Sequence, residues 1–203
     1  MYVPPAFSIE NRAWAIALID RYPFGLLATC DADYPQATHL PMLARAHDDG
    51  KLDILGHVAR ANPHAHSILA GHTATAVFQG PHAYVSAAWY EEPYQTVPTW
   101  NYTAVHASGR LRECDPREVL ARLTEKFEAG KADPWRFDRL APDYVEKQFR
   151  GIVAFELRVD RLQNAAKLSQ NRTAGDRARV AAALLQSSSV IEREVGEAMG
   201  STC

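Results

Sequence analysis

The sequence predicts an α+β, mainly β domain: an antiparallel β-barrel with peripheral helices. Three observations carry that prediction. Six or so short apolar runs of strand length are spaced by turn residues, helical periods flank or interrupt them, and no internal repeat is visible. At 203 residues, 47% hydrophobic and 23% charged, the chain has an ordinary globular composition. A chain of this length buries roughly 70% of its unfolded surface and needs neither disulfide nor metal to fold.

The elements follow in chain order. Residues 9–21 carry apolar residues at helical spacing behind Ser8 as a candidate N-cap, and Tyr22-Pro23 stops the helix. Phe24–Thr29 has strand length, and a turn is expected around Asp31–Pro35. Ala37–Leu43 reads as a second strand whose Pro41 points to an edge or a bulge. Asp48-Asp49-Gly50 is a hairpin turn leading into the strand Lys51–Gly56. A short helix is expected over Ala61–Ala70 behind Asn62-Pro63, then a β-branched strand over Thr73–Gln79. Residues 80–103, with six Trp and Tyr and three Pro, read as a long aromatic insertion. Strand character returns at Ala104–Leu111. Asp115-Pro116-Arg117-Glu118 then opens a helix with Val119, Leu120, Leu123 and Phe127 on its apolar face, ended by Gly130. After a polar link, Gly151–Val159 is the last strong strand; Asp176–Gln186 is helical, and Ser189 to Glu192 is a capping box for a final helix.

Composition excludes several functions. With 22 Lys+Arg against 24 Asp+Glu the net charge is −2, which is not the basic footprint of a nucleic-acid binder, and no helix pair with a basic recognition helix stands out. Arg172, Arg177 and Arg179 are offset by Asp176. Cys30, Cys114 and Cys203 are scattered and odd in number, as expected of a protein kept in a reducing cytoplasm. The start of the chain lacks a basic and apolar leader, and no apolar run approaches a membrane span, so neither secretion nor a membrane is expected. GxSxG, GxGxxG and Walker signatures are absent.

One feature is uneven: all 8 histidines fall between His39 and His106, a third of the chain. His64 and His66 have the spacing of two metal ligands or of two partly exposed helix residues, and no third ligand accompanies them, so no metal is assigned. Three polar segments remain. Gly56 to His64 leaves a strand and enters a helix with Arg60 and Asn62 in the turn, a phosphate site or an ordinary capped turn. Ala37 to Pro41 places Thr38 and His39 in an apolar strand, as a pocket wall or an exposed edge. Lys167 to Arg172 is a dense donor cluster, for an anionic or heterocyclic ligand or for solvent.

Taken together, six blocks in register from residue 1 to about residue 199 resemble one family. They are Met1 to Phe7, Ala37 to Pro41, Gly56 to Pro63, Phe78 to Tyr84 (FQGPHAY), Val97 to Tyr102 (VPTWNY) and Lys167 to Asn171 (KLSQN). The family is the PaiB-like one, the FMN-binding negative transcriptional regulators. The resemblance implies a split β-barrel of the pyridoxamine-phosphate-oxidase type and a homodimer with flavin at the interface. The chain then divides into a split-barrel FMN-binding domain over 1–165 and a polar loop with a helical tail over 166–203. FMN brings a dianionic phosphate and a polar-edged ring. By the resemblance, Arg60 and Asn62, with His57, hold the phosphate. Thr38, His39 and Leu40 line the ring with strand backbone. Trp100 and Asn101 stack on or border the ring, and Lys167, Ser169, Gln170 and Asn171 close over the site from the same or the partner subunit. No residue is marked as a catalytic acid, base or nucleophile. The expected function is non-covalent FMN binding with indirect regulation and no direct DNA contact. The alternatives are a flavin-dependent oxidoreductase with a small substrate, and a haem-binding or haem-degrading split barrel.

Overall fold

The computed structural model describes residues 1–30 and 34–200. The turn expected around Asp31–Pro35 begins outside the described residues, as does Cys203. A 3-10 turn, Pro5–Phe7, precedes α1 (Arg12–Arg21). The N-cap of α1 is Asn11, whose Oδ1 accepts from the Ala13 and Trp14 backbone N–H groups, and not Ser8. Ser8 is instead extended and forms an isolated antiparallel bridge with Ala165.

The strands are β1 (Phe24–Thr29), β2 (Gln36–Pro41), β3 (Leu43–Ala46), β4 (Leu52–Ala59), β5 (Thr73–Val85), β6 (Thr99–Glu113) and β7 (Ile152–Lys167). They form one sheet in the order β2-β1-β5-β6-β7-β4-β3. The pairs β1/β2, β1/β5, β3/β4 and β4/β7 are antiparallel. The two edge strands, β2 and β3, are consecutive in sequence and separated by Met42 alone, which is fully buried. One kink behind Pro41 therefore joins both edges of the sheet, and Pro41 stands at the end of an edge strand, where its missing N–H costs no ladder bond. The β3–β4 hairpin closes through Gly50 at φ 79°, a conformation that favours glycine.

The helices are α2 (His64–Leu69), α3 (Pro116–Glu128), α4 (Pro142–Arg150), α5 (Ala174–Leu185) and α6 (Val190–Gly200). Asp115 caps α3 by accepting from Arg117 N–H, and Thr173 caps α5 by accepting from Asp176 N–H. Ahead of α6 the Ser187 hydroxyl accepts from Ser189 N–H and pairs with Glu192.

Three expectations are corrected. Residues 80–103 are not one long insertion: β5 runs on to Val85 and β6 starts at Thr99, so Tyr84, Trp100 and Tyr102 are strand residues and only 86–98 is loop. Pro81 is tolerated within β5 because β1 pairs with β5 no further than Val77. The polar link before Gly151 contains α4, a helix so polar that Phe149 is its one buried residue. Gly56 to Ala59 belong to β4, and the turn into α2 is confined to residues 60–63.

The chain divides into two compact units. One comprises Met1–Leu18, Gln79–Val105 and Gln163–Cys203, and so holds the C-terminal tail together with the distal parts of β5 and β6. Its core is built from Ala83, Val85, Tyr90, Leu168, Val180, Leu184, Val195 and Met199. The other comprises Ile19–Phe78 and His106–Leu162. In it α3 buries Val119 and Leu123 on Leu55 and Ala154, while Leu27, Ile54, Phe78, Phe155 and Leu157 are also fully buried.

Candidate functional site

In the unit containing β1–β4, three residues from separate elements meet. Thr38 of edge strand β2 lies with its Oγ1 2.7 Å from His64 Nδ1 and accepts a hydrogen bond from Asn62 Nδ2 at 3.3 Å. The Asn62 Oδ1 accepts from the His64 backbone N–H at 2.9 Å, locking the turn between β4 and α2. His64 is buried, while Thr38 and Asn62 are half-buried. The sequence predicts Thr38 and Asn62 as site residues and leaves His64 without a role. The one local signal for it is the Asn-Pro step that caps its backbone.

Arg60, on the same turn, is exposed. Its Nε donates to the carbonyl of Arg150, the last residue of α4, at 2.9 Å and its Nη2 to the carbonyl of Ile152, the first residue of β7, at 3.0 Å, so the guanidinium bridges the α4–β7 junction. Among the described residues its Nη1 group has no such bond. His57, one turn of strand earlier on β4, is held mainly in the neutral form because burial pushes its imidazole below the usual range. Its Nδ1 is buried without a hydrogen-bond partner among the described residues. His39 points to the opposite face of β2 from Thr38, as strand alternation requires, and its exposed ring stacks on Phe24 at 6.1 Å. Leu40 is buried, so only its backbone can border a ligand.

The other unit holds the second predicted set. Trp100 is half exposed, with the His82 ring 6.2 Å away at 30° and Tyr84 edge-on at 6.2 Å. The Lys167 ammonium donates to the Trp100 carbonyl at 2.7 Å and to Thr99 Oγ1, and lies 5.9 Å from the Phe7 ring. Burial, with Arg172 nearby, lowers its pKa. Asn101 has no exposed surface: its amide donates to Ser169 Oγ at 3.0 Å and contacts Met199 Sδ at 3.5 Å, tying β6 to α6. Ser169, its partner, has a left-handed φ of 63°. Gln170 spends its side chain on the Leu168 N–H and the Ala166 carbonyl, and Asn171 is exposed. Trp100, Lys167 and Asn171 thus face outward while Asn101 and Ser169 fix the backbone behind them.

The chemistry of the first set suits a phosphate: one hydroxyl and one amide in hydrogen-bond contact, and one guanidinium on the same turn as the amide. The second set offers an aromatic face and an ammonium, which suit a heterocycle. Among the described residues no group of His, Cys, Asp and Glu is arranged to hold a metal, and no helix is long and apolar enough to cross a membrane.

Comparison with known proteins agrees. Residues 1–161 match the family described as "Putative FMN-binding domain". The "Protease synthase and sporulation protein PAI 2" of Bacillus subtilis is 38% identical over 179 residues, covering 87% of this chain and 85% of that protein. The fold matches that of the FAD and heme binding protein from Mycobacterium smegmatis with a TM-score of 0.63 at 16% identity, over 84% of this chain and 78% of that one. It also matches that of the flavocytochrome Anf3 from Azotobacter vinelandii with a TM-score of 0.61 at 15% identity, over 85% and 75%. These are flavoproteins, and the split-barrel fold class predicted from the sequence is the one observed. The chain belongs to the PaiB-like FMN-binding family, and FMN is the cofactor that this membership assigns to it.

Proposed function

We propose that this protein binds FMN non-covalently, with Thr38, Asn62 and Arg60 as the phosphate-binding residues, and that it regulates indirectly, through its flavin, as a cytoplasmic homodimer. The observation that carries the reading is the meeting at hydrogen-bond distance of Thr38 of β2, Asn62 of the β4–α2 turn and His64 of α2. His57, held neutral, serves as a donor and not as a charge. Trp100, Lys167 and Asn171, of the same or the partner protomer, serve the ring, Lys167 supplying positive charge, with Asn101, Ser169 and Gln170 positioning them. The backbone of Thr38 to Leu40, on an edge strand, supplies N–H and C=O groups to the polar rim of the ring. Bound FMN supplies reversible redox chemistry. The relative's name ties that protein to protease synthesis and sporulation, which supports a regulatory role here, and the net charge of −2 favours a route without direct DNA contact.

The test is a visible absorption spectrum of freshly purified protein, followed by FMN titration. A flavin spectrum, and stabilisation of about 2.7 kcal/mol at 100 times the dissociation constant, are expected. Colourless protein whose melting point ignores added FMN overturns the reading. A second reading, an oxidoreductase acting on a small substrate, is favoured by the half-exposed Trp100 flanked by His82 and Tyr84. Anaerobic bleaching of the flavin by a nicotinamide cofactor, with reoxidation by an acceptor, selects it; no turnover across a substrate panel leaves the binding role.

A further inference from the structure

We propose that His64 is the positioning residue through which the site distinguishes FMN from flavins without a phosphate, because it holds the Thr38 hydroxyl with its proton directed at the ligand. The inference rests on the phosphate assignment above. It begins with hydrogen-bond accounting. The His64 backbone N–H can only donate, so the Asn62 atom that meets it at 2.9 Å is the oxygen, and the atom facing Thr38 is the amide nitrogen. Asn62 therefore donates to Thr38 Oγ1 and occupies one of its two lone pairs. His64 Nδ1, at 2.7 Å, takes what is left in one of two ways.

If Nδ1 carries a proton, it fills the second lone pair of Thr38 and the hydroxyl proton must go to a third acceptor. A phosphate oxygen is such an acceptor. If Nδ1 is bare, Thr38 donates to it, and the hydroxyl has no proton left to offer an anion. The protonated-Nδ1 form, as neutral tautomer or imidazolium, is thus the one that binds phosphate. His64 is 1% exposed, and its main chain is tied to Asn62, so the ring is held in place against the Thr38 hydroxyl. It acts through Thr38 and needs no contact with the ligand. Riboflavin, which lacks the phosphate, gains nothing from the arrangement.

The experiment measures the dissociation constants of FMN and riboflavin by fluorescence titration of the full chain. The proteins are wild type, His64→Leu, His64→Asn and Thr38→Val, each checked for its melting temperature. Wild type is expected to prefer FMN. His64→Leu should weaken FMN by about tenfold to a hundredfold, the range for a hydrogen bond to a charged group, and leave riboflavin within about twofold. His64→Asn, whose side-chain amide returns a donor close to the Nδ1 position, should recover part of the loss. In the Thr38→Val background His64→Leu should have no further effect on the FMN preference. A wild-type preference that survives unchanged in folded His64→Leu overturns this inference alone. If His64→Leu does not fold, Thr38→Val decides: an undiminished preference for FMN overturns it. Wild type that binds FMN and riboflavin equally overturns the phosphate assignment, and the role of His64 with it.

Discussion

Arg45 Nη2 lies 2.7 Å from Oδ2 of Asp53, a carboxylate with no exposed surface, and His47 Nε2 meets the same oxygen at 2.7 Å. Arg45 also bonds Glu156 at 2.6 Å and Glu118 at 3.0 Å, which ties β3, β4, β7 and α3 together. Burial by itself would raise the Asp53 carboxyl, but the hydrogen bonds from Arg45 and His47 outweigh it and hold the group below its usual range. A carboxyl depressed on folding stabilises the protein above its unfolded value, near 4, and loses that contribution as pH falls through the lower folded value. Asp53→Asn should cost about 3 kcal/mol at pH 7, because it leaves charged partners without their buried counterion. Urea midpoints between pH 5 and 2 should fall less steeply for the variant than for wild type.

The two described cysteines should differ in reactivity. Cys30 is exposed. Cys114 is pushed up to about 12, first by burial and then by the carboxylates of Glu156 and Glu118. Iodoacetamide at pH 8 should label Cys30 in native protein and reach Cys114 only after denaturation, as peptide mass mapping will show.

Gly109 sits where a Cβ would stand 1.8 Å from the Arg158 carbonyl oxygen. The obstacle is backbone, so neither strand can yield without losing register. Gly109→Ala should destabilise by about 3 kcal/mol or more, measured by thermal unfolding. Gly130→Ala makes a useful contrast: no atom lies near its Cβ, and the cost there comes from its φ of 80° alone.

Arg60→Ala separates two roles on one side chain. Loss of its bonds to the Arg150 and Ile152 carbonyls should speed amide exchange at the end of α4. If it also holds phosphate, FMN affinity should drop about tenfold while riboflavin affinity stays, and unchanged FMN affinity would leave Arg60 with the helix alone.

Asn101→Ala should free α6. Its amide is spent on Ser169 and Met199 inside the core, so about 1 to 3 kcal/mol is expected from the buried partners left behind. Faster exchange over residues 190–200 will report it.

Much of the fold was written in local pattern. Phe24–Thr29 is an apolar run of strand length, Asp115-Pro116 announces α3, and Gly50 marks the hairpin. Where local signals compete, the reading fails. Ser8 and Asn11 are both good caps, and only the bridge to Ala165 takes Ser8 out of the contest. Pro81 and the aromatic density hid the outer part of β5, because the partner that ends at Val77 is invisible in the sequence.

The candidate site divides along the same line. Residue type and spacing by themselves marked the polar blocks; the family and the cofactor came from the resemblance that those blocks carry in register. Only the tertiary structure decided which members stay exposed and which are buried or bonded elsewhere. It turned His39 away from Thr38, buried Asn101 behind Trp100, gave two donors of Arg60 to the junction of α4 and β7 and brought His64 to Thr38. Those outcomes depend on strand alternation and on hydrogen bonds between residues tens of positions apart, and no local window of sequence contains them.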